Sequence, residues 1–510
     1  MTKLPEFHLA DLQNGSDIRG IAIQTKNNEL TLTNDRIEKI SYGLMAWLKE
    51  YKKLTNSLTT IKVAIGYDSR LSAKRIQEVI IKTLINLGVD IIDVGLATTP
   101  AMFMSTQYQE FDCDAAIMIT ASHLPYQYNG LKFFTKDGGA EHEDIEFILA
   151  NTDVKKQPYP KDKGEVKKAD LLKVYAADLR SKIKKEIDDV ENHEKPLAGR
   201  HIIVDAGNGA GGFFAKEVLE KLGANITGSQ FLDPDGTFPN HIPNPDNKEA
   251  MASIQKAVLE NKADLGIIFD TDVDRSALVD HKGVTLNRNN LIAVISAIVI
   301  AENPGTTIVT NSATSEHLKT FIEEQGGQQN RYLTGYRNVI NQALKLNKEG
   351  IHTSLAIETS GHAALKENYF LDDGAYLVAK ILMADARLRK ENKKIGSLIE
   401  TLKQPIETDE VRFKILTKPI RENGLDTMEK FREFIEQVPD LVIEPNNLEG
   451  VRVNTKGIYG SGWLLLRMSL HEPLLVLTFE SDQMGTIKQL RQKLKGFFIS
   501  QECLDSSDLS

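Results

Sequence analysis

The chain has 510 residues, 62 Lys and Arg against 71 Asp and Glu, and a formal net charge of −9. At about 150 residues per domain there is room for roughly three to four domains, and 41% hydrophobic with 26% charged residues excludes a mostly disordered chain. The acidic balance leaves no electrostatic reason to grip nucleic acid or an anionic membrane, and two cysteines, Cys113 and Cys503, are too few for a disulfide framework or a cysteine metal cluster.

The first twenty residues contain no apolar run of the secretory type, so no signal segment is expected. The longest apolar stretch, 291–301, is interrupted by Ser296 and falls far short of the ~20 residues of a membrane span. It reads as a buried helix. A cytoplasmic protein of several α/β domains is the expectation.

Three segments share one pattern. The first is a strand over 61–65, the polar turn Gly66-Tyr67-Asp68-Ser69-Arg70, a helix to Leu87 with apolar residues at 3.6-type spacing, Gly88 as a stop, and a strand over 89–94. The second is a strand over 201–204, a loop at 205–209, a helix to Leu222, Gly223, and a strand over 224–226. The third is a strand over 307–310, Asn311-Ser312-Ala313, and a helix to Gln325 before Gly326. Strands alternating with helices imply mainly parallel sheets covered by helices. Between the first two, 151–200 is lysine-rich with Pro158, Pro160 and Pro196, and reads as a solvated linker holding one amphipathic helix at 170–187. From 407 onward, strands over 411–415, 451–453, 463–468 and 474–479 with helices at 425–437 and 483–498 suggest a smaller α+β domain.

Four loops could carry chemistry. Thr120-Ala121-Ser122-His123-Leu124-Pro125 follows an apolar strand at 115–119, where parallel sheets place their ligands. A serine hydroxyl needs a base, a metal or positive surroundings to act as a nucleophile, and His123 and Lys132 are at hand. Asp270-Thr271-Asp272-Val273-Asp274-Arg275 follows the strand 265–269, and carboxylates at i, i+2 and i+4 face one side of an extended chain. Two unit charges 4 Å apart repel by about 4 kcal/mol at an effective dielectric of 20, so three call for a cation, and hard oxygen ligands suit Mg²⁺. Glu358-Thr359-Ser360-Gly361-His362 could bind sugar hydroxyls. Arg467-Met468-Ser469-Leu470-His471-Glu472-Pro473 offers a planar guanidinium for a phosphate. Gly207-Asn208-Gly209-Ala210-Gly211-Gly212 matches G-x-G-x-x-G, but Ile226-Thr227-Gly228 stands where a dinucleotide site needs an acid, so a tight turn is the better reading.

In this order and spacing the loops resemble the α-D-phosphohexomutases (phosphoglucomutase, phosphomannomutase, phosphoglucosamine mutase). Asp17-Ile18-Arg19-Gly20, Gly66-Tyr67-Asp68-Ser69-Arg70, Ala97-Thr98-Thr99-Pro100, Pro234-Asp235-Gly236 to Asn244-Pro245, and Thr334-Gly335-Tyr336-Arg337 extend the likeness over nearly the whole chain. The resemblance implies three related α/β domains with mixed, mainly parallel sheets plus a C-terminal α+β domain around a central cleft. On this sequence these would be 1–160, 161–287, 288–404 and 405–510.

It also implies that Ser122 carries a phosphoryl group and that Asp270, Asp272 and Asp274, with that serine, hold one Mg²⁺. Glu358 and Ser360 would bind sugar hydroxyls, and Arg467 and Ser469 the phosphate that is not reacting. Arg19, Lys132, Arg275 and Arg337 would supply positive charge, and His362 would be a proton-transfer candidate. Two departures stand out: Thr271 replaces a usual glycine, and Leu470-His471 replaces a usual Asn-Thr pair, leaving His471 as the polar donor there. The implied activity is interconversion of hexose 1- and 6-phosphates, of glucose or mannose, with hexose 1,6-bisphosphate as intermediate and activator, in a monomer or homodimer. Phosphoglucosamine mutase, a metal-dependent sugar phosphatase using the same serine, and a noncatalytic sugar-phosphate sensor are the competing readings.

Overall fold

A computed structural model describes residues 7–51, 60–153, 162–469 and 472–509. It divides into two compact units, Met1–Leu291 with Ser360–Ser397, and Ile292–Thr359 with Leu398–Ser510. Among the described residues no helix is long and apolar enough to cross a membrane. The apolar stretch lies in the helix Arg288–Glu302, with Leu291, Ile292, Val294 and Ile295 fully buried.

The first unit contains a mixed sheet whose parallel core is Asp90–Leu96, Lys62–Tyr67 and Ala115–Ile119. Tyr128–Thr135 and then Asp17–Ile21 extend it antiparallel. Ala115–Ile119 is buried along its whole length and nearly every residue is aliphatic, as a central strand covered on both faces requires. That strand ends at Ile119, three residues before Ser122. Met118 pairs with Lys132 across the ladder, which puts the lysine of the next strand beside the serine loop.

A second sheet in this unit runs Ile202–Asp205, Leu265–Phe269, Ser276–Asp280 and Thr285–Leu286. Its first pair is parallel, and the second is an antiparallel hairpin whose turn carries the aspartates. The stretch 224–226 is not a strand. A single bridge joins His201 to Asn225, and the Asn225 side chain then accepts from the Thr227 amide at 3.0 Å. That local turn bends the chain away before a ladder can form.

Nor is 151–200 a solvated linker in its described part. Val166–Lys168 adds a parallel edge strand to Asp90–Leu96. The helix Leu171–Ile187, capped by Asp170, buries Leu171, Tyr175, Ala176, Leu179, Ile183 and Ile187 along one face. The lysines lie on the other face, and the 3.6-residue spacing of the apolar positions buries this helix whatever its net charge.

The second unit joins two layers. Gln328–Tyr332, Thr307–Asn311 and Thr353–Ile357 form a parallel sheet with the helices Glu316–Glu324 and Tyr336–Lys348. Glu407–Lys414, Leu474–Ser481, Gly462–Met468, Val451–Thr455 and Leu441–Ile443 form a meander-like antiparallel sheet. The helices Ile420–Glu436 and Thr486–Ile499 cover it, and Phe413 stacks on Phe498 with centroids 4.1 Å apart.

Arg452 pins the two layers together. Fully buried, it lies 3.9 Å above the Trp463 ring. It donates to the carbonyls of Ser312 (2.9 Å) and Thr314 (3.0 Å) and to Glu316 (2.9 Å), and it pairs with Glu444 at 3.0 Å. Burial pulls its pKa down to about 10, which still leaves it charged at neutral pH. Replacing Arg452 with Leu strands two carbonyls and two carboxylates, and urea denaturation is expected to show a loss of about 3 kcal/mol.

Candidate functional site

The site in the first unit is built on two strand ends. Ser122 has φ 53°, a left-handed conformation that turns its hydroxyl out of the strand line. Arg70, fully buried on the turn after Lys62–Tyr67, holds that conformation in place. It donates to the carbonyls of Ser122 (2.5 Å), Leu124 (2.6 Å), Pro125 (3.0 Å) and Tyr128 (3.0 Å). Asp68 pairs with it at 3.3 Å and also accepts from Thr120 at 2.7 Å. Burial raises the Asp68 carboxyl to about 6 despite the arginine.

The aspartates do not lie on an extended chain. Residues 270–274 form a turn in which Val273 has φ 66°. That turn still brings ligand oxygens of Asp270, Asp272 and Asp274 within 4.8 Å of one another, all fully buried. Two neighbours hold the turn. Thr99 donates its hydroxyl to Asp272 Oδ2, and its amide to the Asp272 carbonyl at 2.9 Å. The glycine turn at 207–212 passes beneath: a Cβ on Gly209 would lie 2.6 Å from the Thr271 carbonyl oxygen, and Ala210 donates to that oxygen at 2.8 Å. The G-x-G-x-x-G string thus serves close packing against the carboxylate turn.

Ser122 meets this turn directly. Its Oγ donates to Asp270 Oδ2 at 3.1 Å and accepts from Arg275 Nη2 at 2.9 Å. Arg275 also donates to His123 Nδ1 at 2.7 Å, to Asp270 and to Asn244. The His123 lone pair is therefore engaged by arginine and lies 3.4 Å from the serine oxygen. Burial and then Arg275 hold this imidazole well below its ordinary pKa, so it is neutral. Lys132 reaches Asp274, and Asp272 at 3.4 Å. His362 hydrogen-bonds Asp372 through Nδ1 and lies 3.9 Å from Asp274.

Two cationic side chains thus face three carboxylates. Burial, then the neighbouring Asp274, push the Asp270 carboxyl well above its usual range. At Asp274 burial acts in the same upward direction, but Lys132, His362 and Arg275 outweigh it and hold the acid low. Oδ1 of Asp272 and Oδ1 of Asp274 are buried and accept no hydrogen bond among the described residues. Buried anionic oxygens with nothing to accept fit a hard divalent cation. The cluster can bind a metal ion.

Arg19 pairs with Asp17 at 2.7 Å on the strand beside Tyr128–Thr135 and lowers the His123 pKa through its charge. Ser360 belongs to the first unit, at the start of the turn that carries His362. The second unit holds the others. Glu358 accepts from the Gly335 amide at 2.6 Å. Arg337 stands in the first turn of Tyr336–Lys348 and donates to Asn341 at 3.3 Å. Arg467 donates to the Met468 carbonyl, and Ser469 accepts from the Glu472 amide at 3.3 Å. His471 lies outside the described residues. Arg70, Thr99, Asn244 and Asp372 were not singled out from sequence. Arg70, Thr99 and Asn244 sat in motif strings with no role attached, because their work is done by contacts 31 to 173 positions away.

Family models described as phosphoglucomutase/phosphomannomutase α/β/α domains I, II and III match residues 10–157, 174–283 and 287–405. A phosphomannomutase/phosphoglucomutase of Pseudomonas putida is 30% identical over 84% of this chain and 86% of its own. The chain belongs to the phosphoglucomutase/phosphomannomutase family. A phosphoglucomutase of Neisseria gonorrhoeae is 29% identical over 95% of this chain and 96% of its own. A family protein of Burkholderia thailandensis shares the fold, with a TM-score of 0.76, 23% identity, and coverage of 97% of this chain and 98% of that one. Membership makes the chain a hexose phosphate mutase, an intramolecular phosphotransferase with the family's three tandem α/β domains.

Two supporting contacts carry a measurable expectation. Arg70→Lys, which loses the planar fork onto the serine loop, should lower kcat about 10²-fold while circular dichroism stays unchanged. Thr99→Val, which frees Asp272, should weaken divalent-cation binding about tenfold, read by calorimetry.

Proposed function

We propose that this mutase transfers phosphate through Ser122, interconverting glucose or mannose 1-phosphate with the 6-phosphate in a cytoplasmic monomer or homodimer. The observation that carries this is the position of Ser122 Oγ, 3.1 Å from Asp270 and 2.9 Å from Arg275 Nη2, at the edge of a buried carboxylate trio. A phosphoryl group on that oxygen adds negative charge where Arg275 and Lys132 already stand. Phosphoryl transfer asks mainly for such positioning and neutralisation.

Asp270, Asp272, Asp274 and the phosphorylated Ser122 would hold Mg²⁺. When bound, the ion would offset charge on the phosphoryl oxygens. The sugar hydroxyl attacks phosphorus, the bond from phosphorus to Ser122 Oγ breaks, and the hydroxyl proton passes to a base, for which His362 is the candidate. The product is hexose 1,6-bisphosphate. In the second half Ser122 Oγ attacks the other phosphorus and the bisphosphate gives up that group, leaving the isomer. His123, neutral and bonded to Arg275, orients the guanidinium. Arg19 lends charge beside it.

Glu358 and Ser360 are the proposed contacts to sugar hydroxyls. Arg337, Arg467, Ser469 and His471 are the proposed contacts to the phosphate not in transfer. The chain would divide into domains at 1–160, 161–287, 288–404 and 405–510. A phosphatase reading differs only in water replacing the sugar hydroxyl as acceptor, and phosphoglucosamine mutase only in the sugar.

A coupled assay decides among these. With glucose or mannose 1-phosphate, Mg²⁺ and a trace of the hexose 1,6-bisphosphate, 6-phosphate should form without release of inorganic phosphate. Ser122→Ala should lower the rate by about 10³-fold or more, and Asp272→Ala by about 10²-fold. A chelator should abolish turnover and added Mg²⁺ restore it. Near-normal turnover of Ser122→Ala would exclude the serine route, and steady release of inorganic phosphate would favour the phosphatase.

A further inference from the structure

The second unit carries its proposed substrate contacts on two stretches far apart in sequence. Glu358 and Arg337 belong to the α/β layer, and Arg467 and Ser469 to a hairpin of the antiparallel layer. One half-buried carboxylate connects them. Glu449 lies in the connection between Leu441–Ile443 and Val451–Thr455. Its Oε2 accepts from the Thr334 amide at 3.2 Å, from the Thr334 hydroxyl at 2.6 Å, and from the Ser312 hydroxyl.

The adjacent amide, Gly335, is the one that donates to Glu358. Two carboxylates therefore grip consecutive peptide groups of one turn. Gly335 has φ 122°, a conformation residues with a side chain rarely adopt, so the turn needs such outside support. Arg337 follows two residues later in the first helical turn.

On its other side Glu449 leads into Gly450, which lies flush on the hairpin. A Cβ there would come within 2.1 Å of the Leu466 carbonyl oxygen and 3.0 Å of Arg467 Cα. Val451 then pairs with Leu466 in the ladder. The Asn447 side chain donates to the Glu449 carbonyl and clamps the connection from below. Arg452, three residues on from Glu449, is locked to the same α/β loop at Ser312 and Thr314.

We propose that Glu449 is a positioning residue for hexose phosphate binding. It fixes the 334–335 turn that orients Glu358 and Arg337, and through Gly450 it sets that turn against Arg467. Sugar-hydroxyl contacts and distal phosphate grip are thereby held as one piece. This rests on the reading above in which Glu358 meets the sugar and Arg467 the phosphate. The side-chain partners of Glu449, Thr334 and Ser312, lie in the second unit with the proposed substrate contacts Glu358, Arg337 and Arg467, so its loss falls on binding.

The test uses the intact enzyme with Mg²⁺, trace bisphosphate and whichever of glucose or mannose 1-phosphate it turns over. Glu449→Ala is expected to raise KM about tenfold with kcat changed by no more than about threefold. Glu449→Gln keeps an acceptor oxygen in place and should recover most of that loss. Thr334→Val removes one donor and, should the alanine variant fail to fold, is expected to raise KM about threefold. Arg467→Ala should raise KM at least as much as Glu449→Ala, and the double variant by less than the product of the two, because both act on one grip. An unchanged KM in Glu449→Ala and Thr334→Val beside a raised KM in Arg467→Ala overturns the role of Glu449 alone. An unchanged KM in Arg467→Ala overturns the reading of the hairpin and this proposal with it. A Glu449→Ala loss carried by kcat and not rescued by glutamine also overturns it.

Discussion

Three carboxylates on one buried turn set the terms for everything around them. Asp270, Asp272 and Asp274 have no exposed surface, and such a cluster is strongly unfavourable unless positive charge is brought to it. The fold brings it from two directions: Lys132 from the neighbouring sheet and Arg275 from the hairpin itself. Even so, two carboxylate oxygens, Oδ1 of Asp272 and Oδ1 of Asp274, accept no hydrogen bond among the described residues. A group that adds both negative charge and a cation therefore fits better than no group. A phosphorylated Ser122 with a bound metal ion, as proposed above, would be such a group.

Buried arginine is the second recurring device. Arg70 and Arg452 each place a planar, permanently charged fork against loop carbonyls, one on the serine loop and one on the loops of the α/β layer in the second unit. Irregular backbone has no ladder to satisfy its carbonyls. A five-donor guanidinium satisfies several at once and leaves the loop with one shape. A loop carrying a left-handed serine needs that constraint, since the conformation is not the one the residue would choose alone.

Periodic features were the ones readable from sequence. The helix at Leu171–Ile187 and the strands around 62–67, 115–119, 202–205 and 265–269 follow from apolar spacing, because burial on one face dictates it. The four loops were readable as chemistry by residue type. What failed did so for local or long-range reasons. Asn225 closes a side-chain turn where the apolar pattern predicts a strand over 224–226. The lysine-rich segment reads as solvated on charge alone, yet its regular apolar face buries it. The aspartates converge through a left-handed Val273 instead of an extended chain. Arg70, Asp372 and Glu449 act on partners distant in sequence or through geometry that no spacing rule encodes.

The sharpest single measurement is the phosphorylation state of the peptide containing Ser122. After incubation with phosphate-labelled glucose 1,6-bisphosphate and Mg²⁺, mass spectrometry should find one labelled phosphoryl group on Ser122, and a brief chase with excess unlabelled glucose 1-phosphate should move the label into sugar phosphate. A phosphoryl group on another residue, or an unmodified Ser122 in protein that is turning over, would contradict the role given to that serine.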